Sequence, residues 1–345
     1  MGVDVDFDAA QPFDALLIVS FGGPEQPADV IPFLENVLRG KHVPHERMLE
    51  VAEHYRQFGG KSPINDQNRE LIRALKRELE RQGPHVPIYW GNRNWHPMLP
   101  DTLRKMAQDG IRHALAFFTS AYSSYSGCRQ YRENIDQAQR ETGPEAPRIE
   151  KLRVFFNHPL FIETMIDRVA AALALIPAER RSCTFLIFTA HSIPLAMATN
   201  CDYEAQLREA CGLVSRAFPG HSWWLTYQSR SGPPSQPWLE PDVGDALREL
   251  ARQGTRDVIV VPIGFISDHL EVIYDLDTEA KKISQELGLN MVRAATAGTD
   301  PRLISMIREL ILERLEPGRE RRALGTLGPS HDICPADCCM PPRRG

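Results

Sequence analysis

The stretch Thr184-Phe-Leu-Ile-Phe-Thr-Ala-His-Ser-Ile-Pro194 contains the organising unit of the chain. From Thr184 to Ala190 it is apolar, aromatic or β-branched, the pattern of a strand buried on both faces, and it ends at a histidine and a Pro-led turn. Similar runs are Ala15 to Phe21, Val86 to Asn92, Ala114 to Ser120, Lys151 to Phe156, Ser222 to Gln228, Val258 to Phe265 and Met291 to Ala295. Amphipathic helical patterns fill nearly every gap between them. That alternation predicts βαβ units, a mainly parallel sheet and an α/β fold.

An internal repeat divides the chain. Thr102-Leu-Arg-Lys-Met-Ala-Gln-Asp-Gly-Ile-Arg112 aligns without gaps to Ala246-Leu-Arg-Glu-Leu-Ala-Arg-Gln-Gly-Thr-Arg256, and each copy reads as helix, glycine stop, then strand. A weaker echo relates Leu16 to Pro24 with Leu186 to Pro194. These repeats predict a tail over residues 1–13, lobes over 14–150 and 151–318, and a Cys-bearing tail over 319–345. Ligands of doubly wound sheets sit beyond the strand C-termini. The search therefore narrows to Ser20–Pro24, Thr119–Tyr122, Ala190–Pro194, Tyr227–Arg230 and Ser267–Glu271, all able to face one cleft between the lobes.

Composition excludes several classes. A chain of 345 residues that is 42% hydrophobic can bury a large core, and its net charge of −5 lacks the basic footprint of a nucleic-acid binder. Met1 to Ala10 has neither the basic start nor the apolar run of a secretory signal. Val258 to Ile266, the longest apolar stretch, is far too short to span a bilayer. A soluble cytoplasmic protein, at most peripheral at a membrane, is expected. Three of the seven cysteines, Cys334, Cys338 and Cys339, crowd the C-terminus, and in a reducing compartment such crowding points to metal rather than disulfides.

Two segments carry chemistry. His191 is delivered by a buried strand to its C-terminal edge, where an imidazole can accept a proton near neutral pH or bind a borderline metal ion. A lone histidine in such a place is more often a satisfied turn residue. Glu271, Asp275 and Glu279 recur every four residues after another buried strand, an acidic line on one helical face. Like charges in file repel, so the line reads as oxygen ligands or proton carriers, with a solvated face partnered by Lys281 and Lys282 as the plain alternative. Asp268 belongs to the same acidic segment. The turns Phe21-Gly-Gly-Pro24 and Phe58-Gly-Gly-Lys-Ser-Pro63 match no phosphate-binding fingerprint, so no nucleotide is expected. Phe21, Phe33, Leu34, Trp95, Tyr122, Tyr125, Tyr131, Trp238 and Phe265 gather at the same strand ends and suit a flat apolar ligand, although at least half should be core. Arg39, Lys41 and Arg47 could meet its carboxylates.

Ala190-His-Ser-Ile-Pro194, Tyr227-Gln-Ser-Arg-Ser-Gly232 with Pro237-Trp238, and Phe265-Ile-Ser-Asp-His-Leu-Glu-Val-Ile-Tyr-Asp-Leu-Asp277 together resemble ferrochelatases, as do Leu17–Pro24 and Gly59–Pro63. The resemblance implies two flavodoxin-like chelatase lobes around a central cleft that takes a porphyrin and ferrous iron. It places His191 on one face of the macrocycle and Glu271 on the other, delivered by separate lobe edges as catalytic and metal-binding residues. Asp275 and Glu279 stand behind Glu271, and Asp268 and His269 orient the segment. Phe21, Arg39, Tyr55, Ser62, Tyr131 and Trp238 are implied porphyrin contacts. Several family members ligate iron through a tyrosine where this chain has Phe21, which puts axial ligation from that side in doubt. Phe21-Gly-Gly-Pro24 and Phe33-Leu-Glu-Asn-Val-Leu-Arg-Gly40 resemble the actinobacterial branch, which includes enzymes acting on coproporphyrin III; protoporphyrin IX stays open as the alternative.

The tail Cys334-Pro-Ala-Asp-Cys-Cys339 resembles that of ferrochelatases holding a [2Fe-2S] cluster. An internal cysteine completes the set there, and Cys128 fits that place; the count requires both Cys338 and Cys339. Rival readings are a cobalt or nickel chelatase of the sirohydrochlorin type and a non-catalytic haem or porphyrin carrier. The first usually relies on paired histidines, and the second needs no file of carboxylates.

Overall fold

The computed structural model describes residues 13–40, 43–233 and 235–341. All but Phe13 of the expected N-terminal tail, and Lys41, lie outside the described residues. Among the described residues eight strands form two four-stranded sheets. In the first, β1 (Ala15–Ser20), β2 (Ile88–Asn92), β3 (His113–Phe118) and β4 (Arg148–Lys151) lie in the order β2-β1-β3-β4. In the second, β5 (Phe185–His191), β6 (Trp223–Gln228), β7 (Asp257–Val261) and β8 (Asn290–Arg293) lie in the order β6-β5-β7-β8. Every pairing is parallel. In each sheet the chain winds outward from its first strand, then crosses back to add the third. Each sheet thus has a switch point at the C-terminal end of its first strand, where ligands bind in such folds. Phe21 follows β1 and His191 ends β5, so the weak echo between Leu16–Pro24 and Leu186–Pro194 marks equivalent positions of a repeated architecture.

The stronger repeat has the same cause. Its two copies are the helices Leu99–Gln108 and Val243–Arg252, which lead into β3 and β7. Each is stopped by a glycine in the left-handed region, Gly110 at φ 82° and Gly254 at φ 81°, a conformation that costs other residues a clash at Cβ.

One apolar cluster joins the two sheets. It takes Leu16 and Ile18 of β1, Leu115 and Phe117 of β3, Leu186 and Phe188 of β5, and Ile259 and Val261 of β7. Leu152 to Phe156 also lies in it, which corrects one expectation. The strand predicted over Lys151 to Phe156 ends at Lys151, and the amides of Phe155 and Phe156 both turn to the carbonyl of Ala121. The run is apolar because it crosses between the sheets inside their common core; burial, not pairing, dictates its composition. Likewise β7 stops at Val261, before Pro262, instead of continuing to Phe265.

A buried ion pair ties this crossover to the last helix, Pro301–Leu315. Arg153 donates to both carboxylate oxygens of Glu313, at 2.7 and 2.9 Å, and to the carbonyl of Arg322 at 2.8 Å; its side chain is 0% exposed and that of Glu313 is 3%. Removing one partner strands the other charge in the core. Arg153→Met should therefore lower stability by about 3–5 kcal/mol, and adding Glu313→Leu should restore most of the loss. Urea unfolding of both variants checks this; an additive double variant would show that the pair does not act as a unit.

Candidate active site and tail thiols

His191 is the last residue of β5 and lies in register with Gln228 of β6. Its Nδ1 sits 2.5 Å from the carbonyl of Ser192. A carbonyl only accepts, so Nδ1 carries a proton. Nε2 lies 3.5 Å from Oε2 of Glu271, an approach that a proton on either group makes attractive. Gly264 presses the end of the β7 loop against β5: a Cβ there would meet Cβ of Ala190 at 2.6 Å, so a larger residue would push directly beside His191.

The expectation that separate lobe edges deliver His191 and Glu271 is corrected here. Both come from the second sheet, because β5 and β7 are neighbours and their ends are about one strand spacing apart. Helices and loops of the first lobe contribute the wall around them. Leu270, next to Glu271, packs into an apolar cluster with Phe33, Leu34, Met48, Ala52 and Tyr55, joined by Phe21, Phe58 and Trp95.

The acidic file is real but its helix is not uniformly α. Leu270–Val272 is α, Ile273–Ala280 is a π-helix, and Lys281–Glu286 is α again. A four-residue step overshoots an α turn by about 40°, whereas the wider π turn, closed by i→i+5 bonds, undershoots. Mixing the two keeps Glu271, Asp275 and Glu279 closer to a straight line than either alone. Asp275 accepts from Gln228 Nε2 at 3.2 Å and from the hydroxyl of Ser229. Ser229 holds φ at 60°, a left-handed conformation that serine adopts at a cost, and it is this turn that brings the hydroxyl to Asp275. Burial, with Glu271 and Glu279 nearby, pushes the Asp275 carboxyl up to about 7. At the outer end, Tyr274 hydrogen-bonds to Glu279 and stacks on His54 of the helix His45–Gln57, ring centroids 3.8 Å apart. Asp268 stands outside the file: Arg293 neutralises it at 3.0 Å while also holding Asp277, and the amide of Asp268 donates to Gln67 of the first lobe. Half-buried His269 packs edge-on against Phe265, and burial lowers its proton affinity.

The remaining expected contacts fall on different layers. Phe21 and Tyr55 pack about Phe33, at centroid distances of 6.2 and 5.8 Å, and burial together with Glu271 pushes the Tyr55 phenol up. Tyr131 is buried against Phe118, Ser62 is buried behind Gly23, and Trp238 is buried where it bridges Pro194 beside the His191 loop. Arg39 is exposed at a helix end and donates to Asn36. Arg93 was missed. Its guanidinium lies 5.7 Å from the Phe21 ring and 4.5 Å from that of Tyr131 and donates to Asn134. It directly follows β2, so the strand-end rule that found His191 extends to it. Ser229 falls within the strand-end segment Tyr227–Arg230 without being singled out there, and Tyr203, whose hydroxyl donates to the carbonyl of His191 at 3.1 Å, carries no sequence signal of its own.

The tail is fastened, not frayed. Asn157 donates to the carbonyls of Leu324 and Gly328, Lys151 to that of His331, and Arg129 to those of Ala336 and Cys338. These bonds lay the tail cysteines over Cys128, which sits in a short π-helical turn, Tyr125–Arg129. The Cys128 and Cys338 thiols hydrogen-bond to Cys334 and, with Lys151 and Arg132 near, push its thiol far below the ordinary range. Sγ of Cys339 is 3.5 Å from that of Cys338. The four sulfurs expected together are thus brought together, ringed by three cations. His331 joins them and was missed, although His331-x2-Cys334-x3-Cys338 is itself a metal-type spacing.

Comparison with known proteins agrees with this geometry. The family model described as ferrochelatase matches residues 13–315. A ferrochelatase of Rhodopirellula baltica is 58% identical over 335 residues, covering 96% of this chain and 95% of the relative. A coproporphyrin III ferrochelatase of Streptomyces coelicolor is 51% identical over 352 residues, covering 96% and 94%. Among solved structures, SirB of Bacillus subtilis with Fe3+ shares the fold at a TM-score of 0.53 and 12% identity, covering 88% of this chain and 95% of that one. Two parallel sheets, a strand-end histidine against a glutamate, and near-complete alignment at this identity lead to one assignment: the chain belongs to the ferrochelatase family, the lyases that insert Fe2+ into a porphyrin.

Proposed function

We propose that this ferrochelatase acts on coproporphyrin III, with His191 as proton acceptor and Glu271 as the carboxylate that brings Fe2+ to the ring. The observation that carries the roles is the 3.5 Å approach of His191 Nε2 to Glu271, with Nδ1 of the same ring donating to the carbonyl of Ser192. Van der Waals contact on both faces of a macrocycle takes about 3.5–4.0 Å each. Substrate entry therefore parts the two side chains and puts one on each face.

Insertion needs two pyrrole protons removed and the hydration shell of Fe2+ stripped. Nε2 of His191 accepts one pyrrole proton, passes it to solvent and then accepts the second, while the bond from Nδ1 to Ser192 holds the ring in that orientation. Glu271 replaces water on the iron with a carboxylate oxygen and delivers it to the opposite face. Asp275 titrates near neutrality, so it releases a proton as Glu271 gains the cation and takes one up as Glu271 loses it, and Glu279 opens the file to solvent. Phe21 offers no lone pair, so no axial ligand comes from the end of β1. Tyr55, Ser62, Tyr131, Trp238 and the cation Arg93 frame the macrocycle and its carboxylates, with Arg39 at the mouth. Coproporphyrin III is favoured by the names of relatives 51% and 52% identical to this chain.

The converging thiols of Cys128, Cys334, Cys338 and Cys339 fit a [2Fe-2S] cluster in the tail, and Arg129, Arg132 and Lys151 would offset its negative charge. When bound it would supply a one-electron centre and a covalent strap. Lobes at residues 14–150 and 151–318 each hold one sheet in this reading, except that β4 runs one residue past the boundary, to Lys151. No described helix is long and apolar enough to cross a membrane, and a thiol-rich tail suits the reducing cytoplasm.

Three outcomes are expected. In steady-state insertion of Fe2+, followed by loss of metal-free porphyrin fluorescence, His191→Ala should lower kcat by about 10²–10⁴-fold; unimpaired turnover would remove His191 from the chemistry. kcat/KM for coproporphyrin III should exceed that for protoporphyrin IX, and the reverse order would refute the substrate assignment. The third concerns pH. The Asp275 carboxyl is raised in the folded chain, so its neutral form is favoured there. The penalty for ionising it is absent below the ordinary carboxyl range, grows towards about 7 and is full above. Asp275→Asn should thus stabilise the chain by roughly 1–3 kcal/mol at pH 8 and by almost nothing near pH 4, read from urea midpoints. An equal effect at both pH values would take Asp275 out of the proton relay.

A further inference from the structure

Four side chains of the tail and Cys128 beneath it could ligate a metal, one more than a four-ligand set needs. Besides the four cysteines, His331 turns Nε2 to Sγ of Cys338 at 3.6 Å, and the ligand atoms of His331, Cys334 and Cys338 all lie within 4.8 Å of one another. The His331 loop is held from three directions. Lys151 binds its carbonyl at 3.1 Å, Arg321 donates to the carbonyl of Ser330, and Arg321 pairs with Asp332 at 3.2 Å.

Cys339 has different surroundings. Neighbouring residues normally send their side chains apart, and here the two thiols approach only through a φ of 54° at Cys339, a left-handed conformation that cysteine adopts at a cost. Burial does not separate Cys339 from Cys128, since each is 3% exposed; position does, because Cys128 lies against Cys334 at the centre of the set, whereas Cys339 meets Cys338 alone at 3.5 Å and stands outside the group in which the ligand atoms of His331, Cys334 and Cys338 converge.

We propose that the tail site is a three-thiolate, one-imidazole site, with Cys128, Cys334, Cys338 and His331 as its ligands and Cys339 as a packing residue. The proposal rests on the cluster reading above and changes its chemistry. Imidazole is a neutral donor that suits iron, so replacing one thiolate by it removes a negative charge from the cluster and raises its reduction potential. It also removes the need for two adjacent cysteines to reach one cluster.

The full-length chain, purified without oxygen, provides the test. Cys339→Ser should keep iron and acid-labile sulfide at the native level with an unchanged visible spectrum. His331→Cys should keep the cluster but lower its potential, and the nitrogen hyperfine coupling seen by pulsed EPR in the dithionite-reduced native chain should vanish in it. A Cys339→Ser chain without cluster, or a native cluster with no nitrogen coupling, overturns the ligand set. Absence of acid-labile sulfide from the native chain defeats the cluster reading instead. The ligand set is then read by adding Co2+ to the metal-free chain: a thiolate-to-cobalt band unchanged in Cys339→Ser and altered in His331→Ala sustains it, and the opposite pattern overturns it.

Discussion

The 3.5 Å approach of His191 Nε2 to Glu271 is the contact around which the rest of the molecule is arranged. It depends on parallel pairing. Because β5 and β7 run side by side in one direction, their C-terminal ends emerge together, and the loops leaving both strands lie on the same edge. An antiparallel neighbour would have sent the second group to the far side of the sheet. The close passage of Gly264 over Ala190 then fixes the distance between the two edges.

The first lobe repeats this architecture without repeating its chemistry. Where β5 ends in His191, β1 is followed by Phe21, and the side chains gathered there are aromatic and aliphatic rather than ionisable. One lobe thereby carries the ionisable groups, His191 and the Glu271 file, and the other an apolar wall with Arg93 laid across it. The common core beneath both sheets, pinned by Arg153 and Glu313, holds the two halves in a fixed relation. Leu270 extends that relation to the site, since it seats the Glu271 segment in the wall of the opposite lobe.

Electrostatics along the Glu271 helix depend on its unusual winding. A file of carboxylates repels itself, and the structure answers in two ways. Asp268 and Asp277, at the flank, share Arg293. Asp275, in the middle, is buried beside Glu271 and Glu279, and burial pushes its carboxyl up to about 7 against the opposing pull of its hydrogen bonds from Gln228 and Ser229. The cation-rich bed under the tail shows the opposite arrangement, with Arg129, Arg132 and Lys151 gathered where thiolates collect.

Taken alone, the sequence determined the α/β class, the repeat, seven of the eight strands to within a few residues, and the identity of His191, Glu271 and Asp275 as the groups to watch, because local hydrophobic period and strand-end position are properties of contiguous residues. It misplaced β4, since an apolar run buried in a shared core has the same composition as a paired strand. Only the tertiary structure decided that His191 and Glu271 issue from neighbouring strands of one sheet, that Asp268 is neutralised, that Ser229 reaches Asp275, and that His331 comes to the thiols of the tail. Each of those contacts joins residues brought together by the fold, and strand order together with the packing of the lobes settles which of them meet.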